Sequence, residues 1–371
     1  MRPLRVAIDA TQVDNQTLGS GQFRYAVDLV DGLSRDTRAG VTLLGSRPAP
    51  AAEFLPAVER GVRYVSFPPR GGRGYYYRDL VRLAWWLQKQ RPDVLHELHT
   101  NVPPVAPCPV VVTVYHYFDD PLLLASRPYR YFLWALRHRA ARVITISDAT
   151  KQDFARVFGI PPERMQTIYL GLSKSFDRPA DRAERPYVLS PYNLSAPKNL
   201  ASLIEAWPVI AARHPSLELV LYGRAHVTAA AEAQFESRLT VLPHANRVRR
   251  TGVVTDRELS SLYGGATLFI FPSLVEGFGY PLLEAMSHGV CSIARNASAM
   301  KEIGADAVRL VETTHPEEIA AAALDLLADP TRRGELAARG RARASTFTIE
   351  KMVERTLECY ASVARAGRSR R

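Results

Sequence analysis

Two glutamates flank a short apolar segment in the second half of the chain, EGFGYPLLEAM, which runs from Glu276 to Met286. The preceding run, ATLFIFPS, has the length and composition of a buried β-strand. Pro281 suits the first turn of a following helix, and Gly289 would end that helix. This pattern places Glu276 in a loop and Glu284 in the first helical turn. Because helical side chains lean toward the N-terminus, we expect both carboxylates to face one crevice.

The segment has the features of a site for a diphosphate with a hydroxyl-bearing group on either side. Gly277 and Gly279 lie between the carboxylates and allow backbone N–H groups to approach a ligand closely. The start of the helix favours negative charge, and a carboxylate can accept hydrogen bonds from both hydroxyls of a diol. A nucleotide sugar meets all of these conditions. The simpler interpretation, that the two glutamates only favour a helix start, is adequate for Glu284 but not for the whole segment.

The elements that must position these residues alternate along the whole chain. Seven short β-branched runs precede the polar stretch KSFDRPADRAER, six follow it, and amphipathic helical patterns lie between them. We therefore predict an α/β protein with two doubly wound, Rossmann-like domains of parallel strands, residues 1–178 and 179–347, which face a deep interdomain cleft. A last helix and basic tail, 348–371, is predicted to cross back to the first domain. Ligands of such sheets bind beyond the carboxyl ends of the strands.

The composition narrows the class of protein further. The net charge of +11 is concentrated in residues 1–180, where 24 Lys and Arg stand against 16 Asp and Glu. Either an anionic partner of the first half or a solvated basic surface would explain this excess. The scattered Cys108, Cys291 and Cys359 suit a reducing compartment and argue against a disulfide framework or structural zinc. With no apolar run near the roughly 18 residues of a membrane span, we expect a cytoplasmic protein.

The segment FPSLVEGFGYPLLEAMSHGV resembles the E-x7-E signature of retaining glycosyltransferases of family 4, which have the GT-B fold. Other segments resemble that family in the expected order: VLSPYNLSAPKNLASLIEAW its phosphate-binding pair, RTGVVTDRELSSLYGGATLFIFPS its nucleobase segment, and PVVVTVYHYFDDP its cleft histidine. The segment NASAMKEIGADAV looks closest to the mannosyl- and rhamnosyltransferase branch. The resemblance implies hexose transfer in polysaccharide biosynthesis, with GDP-mannose favoured as donor and a glycan, lipid-linked or small-molecule acceptor.

The resemblance also implies a role for individual residues. Glu276 would contact hydroxyls of the transferred sugar, and Glu284 would hold the ribose diol of the nucleotide. Lys198 corresponds to the family's basic residue at the diphosphate, where a fixed ammonium would stabilise developing charge without a metal or other cofactor. His116 matches the cleft histidine and would touch the donor sugar. The predicted catalytic residues are Glu276, Lys198 and His116, and the predicted donor-binding residues are Gly21, Asn193, Lys198, Arg224, Val254, Glu276, Gly277, Phe278, Gly279 and Glu284.

The sequence departs from the family pattern at three positions, Phe23, Tyr117 and Asn193. Asn193 stands where the family usually has an arginine, and Arg224, at the end of the next strand, could supply the missing charge. In the segment SGQFRY, Gly21 keeps the place of close approach to the donor phosphate, whereas Phe23 replaces a second glycine. Tyr117 replaces the aspartate that usually follows the cleft histidine.

Three alternatives remain compatible with the sequence. A nucleotide-sugar epimerase or a phosphorylase could use the same fold. A basic nucleic-acid-binding protein would suit the net charge, and PPRGGRGYYYRDLVRLAWW could stack bases. No nucleic-acid-binding module is recognised, however, and no nucleic-acid partner is predicted.

Two stretches interleave cations with aromatic residues, PPRGGRGYYYRDLVRLAWWLQKQR and RPYRYFLWALRHRAAR. They suit either peripheral contact with an anionic membrane or packing of the rings into the domain core.

Overall fold

The computed structural model describes residues 2–13, 21–68, 75–99, 102–115, 125–172 and 186–369. The chain divides into two compact units. The first comprises Met1–Gly171 together with Thr348–Arg371, and the second comprises Leu172–Phe347. The domain boundary predicted between residues 178 and 179 lies outside the described residues.

The first unit is built on a seven-stranded sheet in which every neighbouring pair of strands is parallel. The spatial order is β3-β2-β1-β4-β5-β6-β7. The strands are β1 (Leu4–Asp9), β2 (Ala39–Gly45), β3 (Arg63–Ser66), β4 (Val94–Glu97), β5 (Val110–Val114), β6 (Ala140–Thr145) and β7 (Met165–Thr167). Its helices are α1 (Gly21–Ser34), α2 (Leu55–Glu59), α3 (Tyr75–Gln90), α4 (Arg127–His138) and α5 (Asp148–Phe158).

The second unit has a six-stranded parallel sheet in the order β10-β9-β8-β11-β12-β13. Its strands are β8 (Tyr187–Pro191), β9 (Glu218–Tyr222), β10 (Val248–Gly252), β11 (Leu268–Phe271), β12 (Ser292–Arg295) and β13 (Arg309–Val311). The helices are α6 (Leu200–Arg213), α7 (Ala229–Thr240), α8 (Asp256–Gly265), α9 (Tyr280–Ser287), α10 (Ser298–Gly304), α11 (Pro316–Ala328) and α12 (Pro330–Ala344). The chain then returns to the first unit as α13 (Ile349–Ser369).

The composition of the strands explains why both sheets are parallel and covered on both faces. Every residue of β5, VVVTV, and of β11, LFIF, is buried. Parallel strands with helices on both faces are apolar along their whole length, instead of alternating between apolar and polar residues. The thirteen strands of the described chain coincide with the thirteen predicted runs, and the predicted doubly wound α/β fold is confirmed.

A buried polar chain holds α13 against the first sheet. The hydroxyl of Tyr360 lies 2.6 Å from Nδ1 of His96, and Nε2 of His96 lies 2.8 Å from the hydroxyl of Thr113. Burial lowers the pKa of His96 to about 3, so the ring is neutral between its two hydroxyl partners. Each ring nitrogen therefore has a partner, and the C-terminal helix is fixed to β4 and β5 without a buried charge.

The packing at Gly171, where the first unit's chain meets the start of α13, yields a stability prediction. A Cβ atom at Gly171 would lie 2.6 Å from both the Cα of Ile349 and the carbonyl carbon of Thr348, so backbone would have to move. Gly171→Ala should lower the free energy of unfolding by roughly 1–3 kcal/mol, the range for overpacking. Gly40→Ala, where the added Cβ meets nothing within 4 Å, is the matched control. Equal thermal midpoints for the two variants in calorimetry would contradict this account of the junction.

Candidate functional site

The central residues of the predicted site lie where the strand order of the second sheet changes direction. Strands β8 and β11 are neighbours there, although three helices and two strands separate them in sequence. The loop after β8 carries Asn193 and Lys198, and the loop after β11 carries Glu276. Both loops leave the carboxyl ends of adjacent parallel strands, which is the place where doubly wound sheets bind ligands.

Backbone hydrogen bonds join the two loops. The N–H of Leu274 donates to the carbonyl of Pro197 at 2.7 Å, and the hydroxyl oxygen of Ser273 lies 3.1 Å from the same carbonyl oxygen. The side chain of Asn199 extends in the opposite direction and donates to the carbonyl of Pro272 at 3.3 Å. Asn199 has a left-handed conformation, φ 51°, which asparagine tolerates better than most residues. The two loops therefore form one rigid edge of the site.

This edge brings Lys198 and Glu276 into direct contact. Nζ of Lys198 donates to Oε1 of Glu276 at 2.5 Å, and the hydroxyl of Ser273 donates to the same oxygen at 2.7 Å. The carboxylate side chain is 13% exposed and the ammonium side chain 33% exposed, so water reaches the cation more easily. The pair is charge-compensated within the protein, and a ligand at this edge meets a preformed cation and a preformed acceptor.

The glycine-rich turn leads into α9 through a left-handed residue. Gly279 has φ +92° and precedes the helix, while Pro281 occupies its first turn as predicted. A side chain at Gly279 would overlap that of the fully buried Met300. Because the helix begins only at Tyr280, Glu284 is its fifth residue and lies in the second turn. The expectation that Glu284 belongs to the first turn was therefore wrong.

Glu284 is buried, 5% exposed, at the end of a chain of hydroxyl groups. The phenol of Tyr263 donates to Oε2 of Glu284 at 3.0 Å, and the phenols of Tyr222 and Tyr263 lie 2.7 Å apart. Burial raises the pKa of the Tyr222 phenol well above its usual value, and the charges of Glu284 and Glu276 raise it further. Both predicted carboxylates therefore lie within electrostatic range of one hydroxyl, which favours the predicted shared crevice.

Sequence analysis missed these two tyrosines. Tyr222 is the last residue of β9 and Tyr263 lies near the end of α8, and neither residue was selected as a candidate site residue. The ring of His288 stacks on Tyr263 with centroids 5.3 Å apart, and Nε2 of His288 lies 2.8 Å from the hydroxyl of Ser260. A tyrosine that ends a strand beside a glycine, as in LVLYG, was the available signal.

The basic side of the site is formed by Lys198 and Arg224. His226, two residues beyond Arg224, has its pKa lowered by burial first and then by the positive charges of Arg224 and Lys198. The two cations thus lie within electrostatic range of one imidazole ring. The side-chain oxygen of Asn193 accepts hydrogen bonds from the N–H and hydroxyl of Ser195, at 3.0 and 2.8 Å. The NH₂ group of Asn193 takes no part in these two bonds and could donate a hydrogen bond to an anion.

The remaining predicted residues are distributed as follows. Gly277 and Phe278 are buried in the turn before α9. Val254 is half-buried in the loop after β10. Gly21 is the exposed first residue of α1 in the first unit. His116 lies outside the described residues, and its role stays a prediction.

A second pair of carboxyl groups lies at the corresponding place in the first sheet, where β1 and β4 are neighbours. Asp9 and Glu97 are the last residues of these strands, are paired in register, and are 4% and 1% exposed. Thr11 donates its N–H and its hydroxyl to Asp9, at 2.9 and 2.6 Å. Neither carboxyl oxygen of Glu97 has a donor within the described ranges. Burial, followed by the charge of Asp9, raises the pKa of Glu97 well above its ordinary value.

Sequence analysis did not select this pair, because Asp9 and Glu97 each stand alone at the end of an apolar run. The proximity arises only from the register of two strands that are distant in sequence. Ionised Glu97 would be buried against the charge of Asp9, so Glu97 is favoured as the neutral acid, which shares its proton with Asp9. Within the described residues, no group of three or more potential ligands could hold a metal ion. No described helix combines the length and the apolar character needed to cross a membrane.

Solved glycosyltransferases share this two-unit architecture over nearly the whole chain. A glycosyltransferase from Rickettsia africae ESF-5 matches with a TM-score of 0.79 and 14% identity, over 98% of this chain and 99% of that one. Anabaena Alr3699/HepE in complex with UDP and glucose matches with a TM-score of 0.77 and 18% identity, over 97% and 100%. At these identities the likeness establishes the fold, which is the GT-B architecture of two Rossmann-like domains.

Two family models cover the two units in turn. The model described as Glycosyltransferase Family 4 matches residues 19–176, and the model described as Glycosyl transferases group 1 matches residues 173–343. The chain belongs to this family of glycosyltransferases, as its sequence segments predicted. Family membership favours glycosyl transfer over the epimerase and nucleic-acid-binding alternatives.

Several curated relatives are mannosyltransferases at modest identity, and another is an alpha-maltose-1-phosphate synthase of Mycolicibacterium smegmatis, 27% identical over 61% of this chain and 64% of that protein. O-antigen chain mannosyltransferase B of Escherichia coli is 30% identical over 237 residues, which are 60% of this chain and 60% of that protein. MMP alpha-(1->4)-mannosyltransferase of Mycolicibacterium hassiacum is 26% identical over 292 residues, which are 72% and 70% of the two chains. The match thus covers less than two thirds of the length of the E. coli relative, so the relative's activity and substrate do not by themselves establish those of this chain.

The carboxyl pair of the first sheet yields a prediction about pH. Because the folded state raises the pKa of Glu97, the unfolded chain ionises this group at a lower pH than the folded chain does. Above the ordinary glutamate pKa, wild-type stability should therefore fall with pH, by at most about 1.4 kcal/mol per pH unit from this group. Glu97→Gln keeps a donor toward Asp9 and removes the titration. Its thermal midpoint, relative to wild type, should rise between pH 5 and pH 8; a difference independent of pH would contradict the shared proton.

Proposed function

We propose that the protein transfers a hexose, with mannose favoured, from a nucleotide diphosphate sugar to a glycan, lipid-linked or small-molecule acceptor. The contact that carries the proposal is the 2.5 Å bond between Lys198 and Glu276, on adjoining loops at the point where the second sheet reverses its strand order. It offers a cation for a leaving diphosphate beside an acceptor for sugar hydroxyls. The names of the mannosyltransferase relatives support the choice of sugar.

The donor is proposed to lie along the carboxyl edge of the second sheet. The diphosphate would take the ammonium of Lys198, with Arg224 and the NH₂ group of Asn193 in place of the arginine that the family usually has. Glu276 would accept hydrogen bonds from the hexose, and Glu284, oriented by Tyr263, would accept them from the ribose. The glycine turn before α9, with Gly277 and Gly279, would let backbone N–H groups approach the anion closely.

The reaction follows from this arrangement. The bond between the anomeric carbon and the β-phosphate oxygen breaks, and its electron pair passes to the diphosphate, where Lys198 stabilises the charge. The acceptor hydroxyl attacks the anomeric carbon from the same face and gives its proton to the departing phosphate oxygen. This course retains the anomeric configuration and requires no metal ion. His116 is expected to contact the donor sugar.

The nucleotide itself is proposed to be GDP, because the first relatives in order of similarity are mannosyltransferases. UDP is the competing choice, since the Anabaena protein of the same fold is in complex with UDP and glucose. Thermal shift with GDP, UDP and TDP at equal concentration decides between them, because a ligand that binds the folded state raises the midpoint by mass action. A larger shift with UDP than with GDP would replace GDP-mannose in this proposal.

A peripheral membrane contact of the first unit is supported by two exposed tryptophans. Trp85 on α3 is 59% exposed and Trp134 on α4 is 42% exposed. Lys89 lies 3.8 Å from the Trp85 ring centroid, and Arg139 lies 5.4 Å from that of Trp134. Most other aromatic residues of α4 pack inward, because Tyr129 and Phe132 are buried. We propose that these two cation–ring pairs contact anionic headgroups.

The roles of the two glutamates can be separated by a matched pair of variants. Glu276→Gln should reduce turnover at least about 100-fold without weakening nucleotide binding, because its contact is with the sugar. Glu284→Gln should instead weaken nucleotide binding about tenfold, the loss of one charge-assisted bond. Nucleotide affinity is measured by calorimetry, and turnover as nucleotide release from the donor. If both variants behave as wild type, the proposed orientation of the donor is wrong.

The cation at the diphosphate has its own test. Lys198→Ala should lower turnover on the order of 100-fold, and Lys198→Arg should restore part of it, because the developing charge needs a nearby cation. Arg213→Ala, at the end of α6 and away from the two loops, is a control for loss of surface charge.

Activity of the wild type should persist in EDTA. Loss of activity in EDTA that magnesium or manganese restores would show that a metal ion, and not Lys198, is the main stabiliser.

The membrane proposal is tested by vesicle co-sedimentation. Wild type should bind vesicles containing phosphatidylglycerol more than neutral vesicles, and less at high salt, because the attraction is electrostatic in part. The double variant Trp85→Ala with Trp134→Ala should bind less, whereas Val105→Ala, at an exposed site without a neighbouring ring, should not. Equal binding by both variants, or none by wild type, would remove the membrane contact and favour a soluble acceptor.

A further inference from the structure

A cavity of about 860 Å³ lies at the amino-terminal edge of the seven-stranded sheet. Its walls come from segments just before β4, β5 and β7, from the beginning of β1 and β6, and from the last turns of α13. The carboxyl pair Asp9 and Glu97 lies at the opposite ends of these strands. The cavity is therefore a separate feature of the first unit, and no predicted site residue lines it.

The lining carries an excess of positive charge. Two carboxylates, Asp93 and Glu163, are opposed by five arginines: Arg2, Arg5, Arg91, Arg142 and Arg164. Asp93 is already engaged, because it accepts from Nη2 of Arg2 at 3.1 Å and from the backbone N–H of Arg5 at 3.0 Å. Nε of Arg5 also lies 3.7 Å from Oδ2 of Asp93, so this carboxylate is compensated by Arg2 and Arg5. Arg91, Arg142 and Arg164 have no ion pair with another described residue.

Arg142, on β6, is half-buried and has a buried Nε. Its Nη1 donates to the backbone carbonyl of Glu163 at 2.6 Å, while its Nε is buried and has no acceptor in the ranges that the structure describes. The nearby thiol of Cys359 remains neutral, because burial raises its pKa to about 12 although the charge of Arg142 opposes that rise. A half-buried guanidinium that meets only neutral groups lacks the anion that would compensate it.

We propose that this cavity binds a small molecule that bears a phosphate group. Guanidinium groups bind phosphate through two parallel hydrogen bonds, and several arginines around one cavity suit that geometry. The remaining lining is apolar and includes Pro107, Pro109, Ala140 and Val363, which suits an organic body attached to the phosphate. Such a ligand also explains part of the positive excess of residues 1–180, which the donor site in the second unit does not use.

The position of the cavity gives its ligand a means to act on the first unit. Residues Ser362–Gly367 of α13 form one wall. The same helix is fixed one turn earlier by the bond between Tyr360 and His96. A bound phosphate would attach the last turns of α13 to the edge of the sheet and protect them from fraying. A ligand in the cavity is thus expected to order the last turns of the C-terminal helix.

Binding is tested by calorimetry at constant ionic strength with three probes: inorganic phosphate, diphosphate and adenosine monophosphate. The experiment uses the full chain with Lys198→Ala, so that phosphate binding at the proposed donor site is removed. Saturable binding of at least one probe should persist, and adding Arg142→Ala should weaken it tenfold or more. Arg142→Lys should restore part of the affinity. Arg156→Ala, an exposed arginine of α5 that pairs with Asp153 at 2.9 Å, should leave it unchanged.

Arg91→Ala provides a second variant in case truncation of Arg142 disturbs folding. Arg91 is exposed, so its loss should leave the thermal midpoint of the unliganded protein unchanged and still weaken binding. Hydrogen exchange should show slower exchange of Ser362–Gly367 with the bound probe. The proposal is overturned if no probe binds saturably, if Arg91→Ala and Arg156→Ala bind alike, or if protection appears only in the loops after β8 and β11. Binding of the nucleotide but of neither inorganic probe would identify the organic body, and not the phosphate, as the recognised group.

Discussion

The hydrogen bond from the N–H of Leu274 to the carbonyl of Pro197 is the constraint on which the second unit's site depends. It joins two loops that leave neighbouring strands but are far apart in sequence. A lysine and a glutamate on mobile loops would gain little from pairing, because ordering two long side chains costs about as much entropy as the exposed pair returns. When the two loops are fixed, fewer degrees of freedom remain to be ordered by the ion pair itself. Lys198 and Glu276 therefore occupy defined positions before any ligand binds.

Carboxyl groups at corresponding places in the two sheets have opposite electrostatic surroundings. In the second sheet, Glu276 has an ammonium and a hydroxyl as donors and lies in a partly hydrated edge. In the first sheet, Glu97 is fully buried and faces another carboxyl group. The same topology, a reversal of strand order, therefore produces an ionised acceptor in one unit and a protonated acid in the other. Burial and the sign of the nearest charge account for the difference.

The strands and the segment around Glu276 could be predicted from the sequence, because hydrophobic periodicity and turn-forming residues are local features. ATLFIFPS followed by two glycines and a proline specifies a buried strand, a turn and a helix without reference to the rest of the chain. The helix start was misplaced by the same reasoning: Gly279 adopts φ +92° and delays the helix to Tyr280, which moved Glu284 into the second turn.

Features that arise from register could not be predicted in this way. Tyr222 and Tyr263 meet across two elements, and Asp9 meets Glu97 only because β1 and β4 pair in one particular register. The cavity of arginines combines six chain segments, none of which is unusual alone. Sequence patterns identify a residue's face in its own element, whereas the contact between two elements depends on topology and register.

The ion pair between Lys198 and Glu276 should affect the binding of a nucleotide and of a nucleotide sugar differently. A diphosphate that draws Lys198 away leaves the carboxylate of Glu276 with only Ser273 as a donor. That loss opposes binding of the nucleotide alone, because a partly buried carboxylate is deprived of its counterion. A donor that also carries the hexose supplies hydroxyl groups to the released carboxylate and removes the penalty. In the proposed donor site, the closed pair would therefore favour the complete nucleotide sugar over the product nucleotide, which is the direction that release after transfer requires.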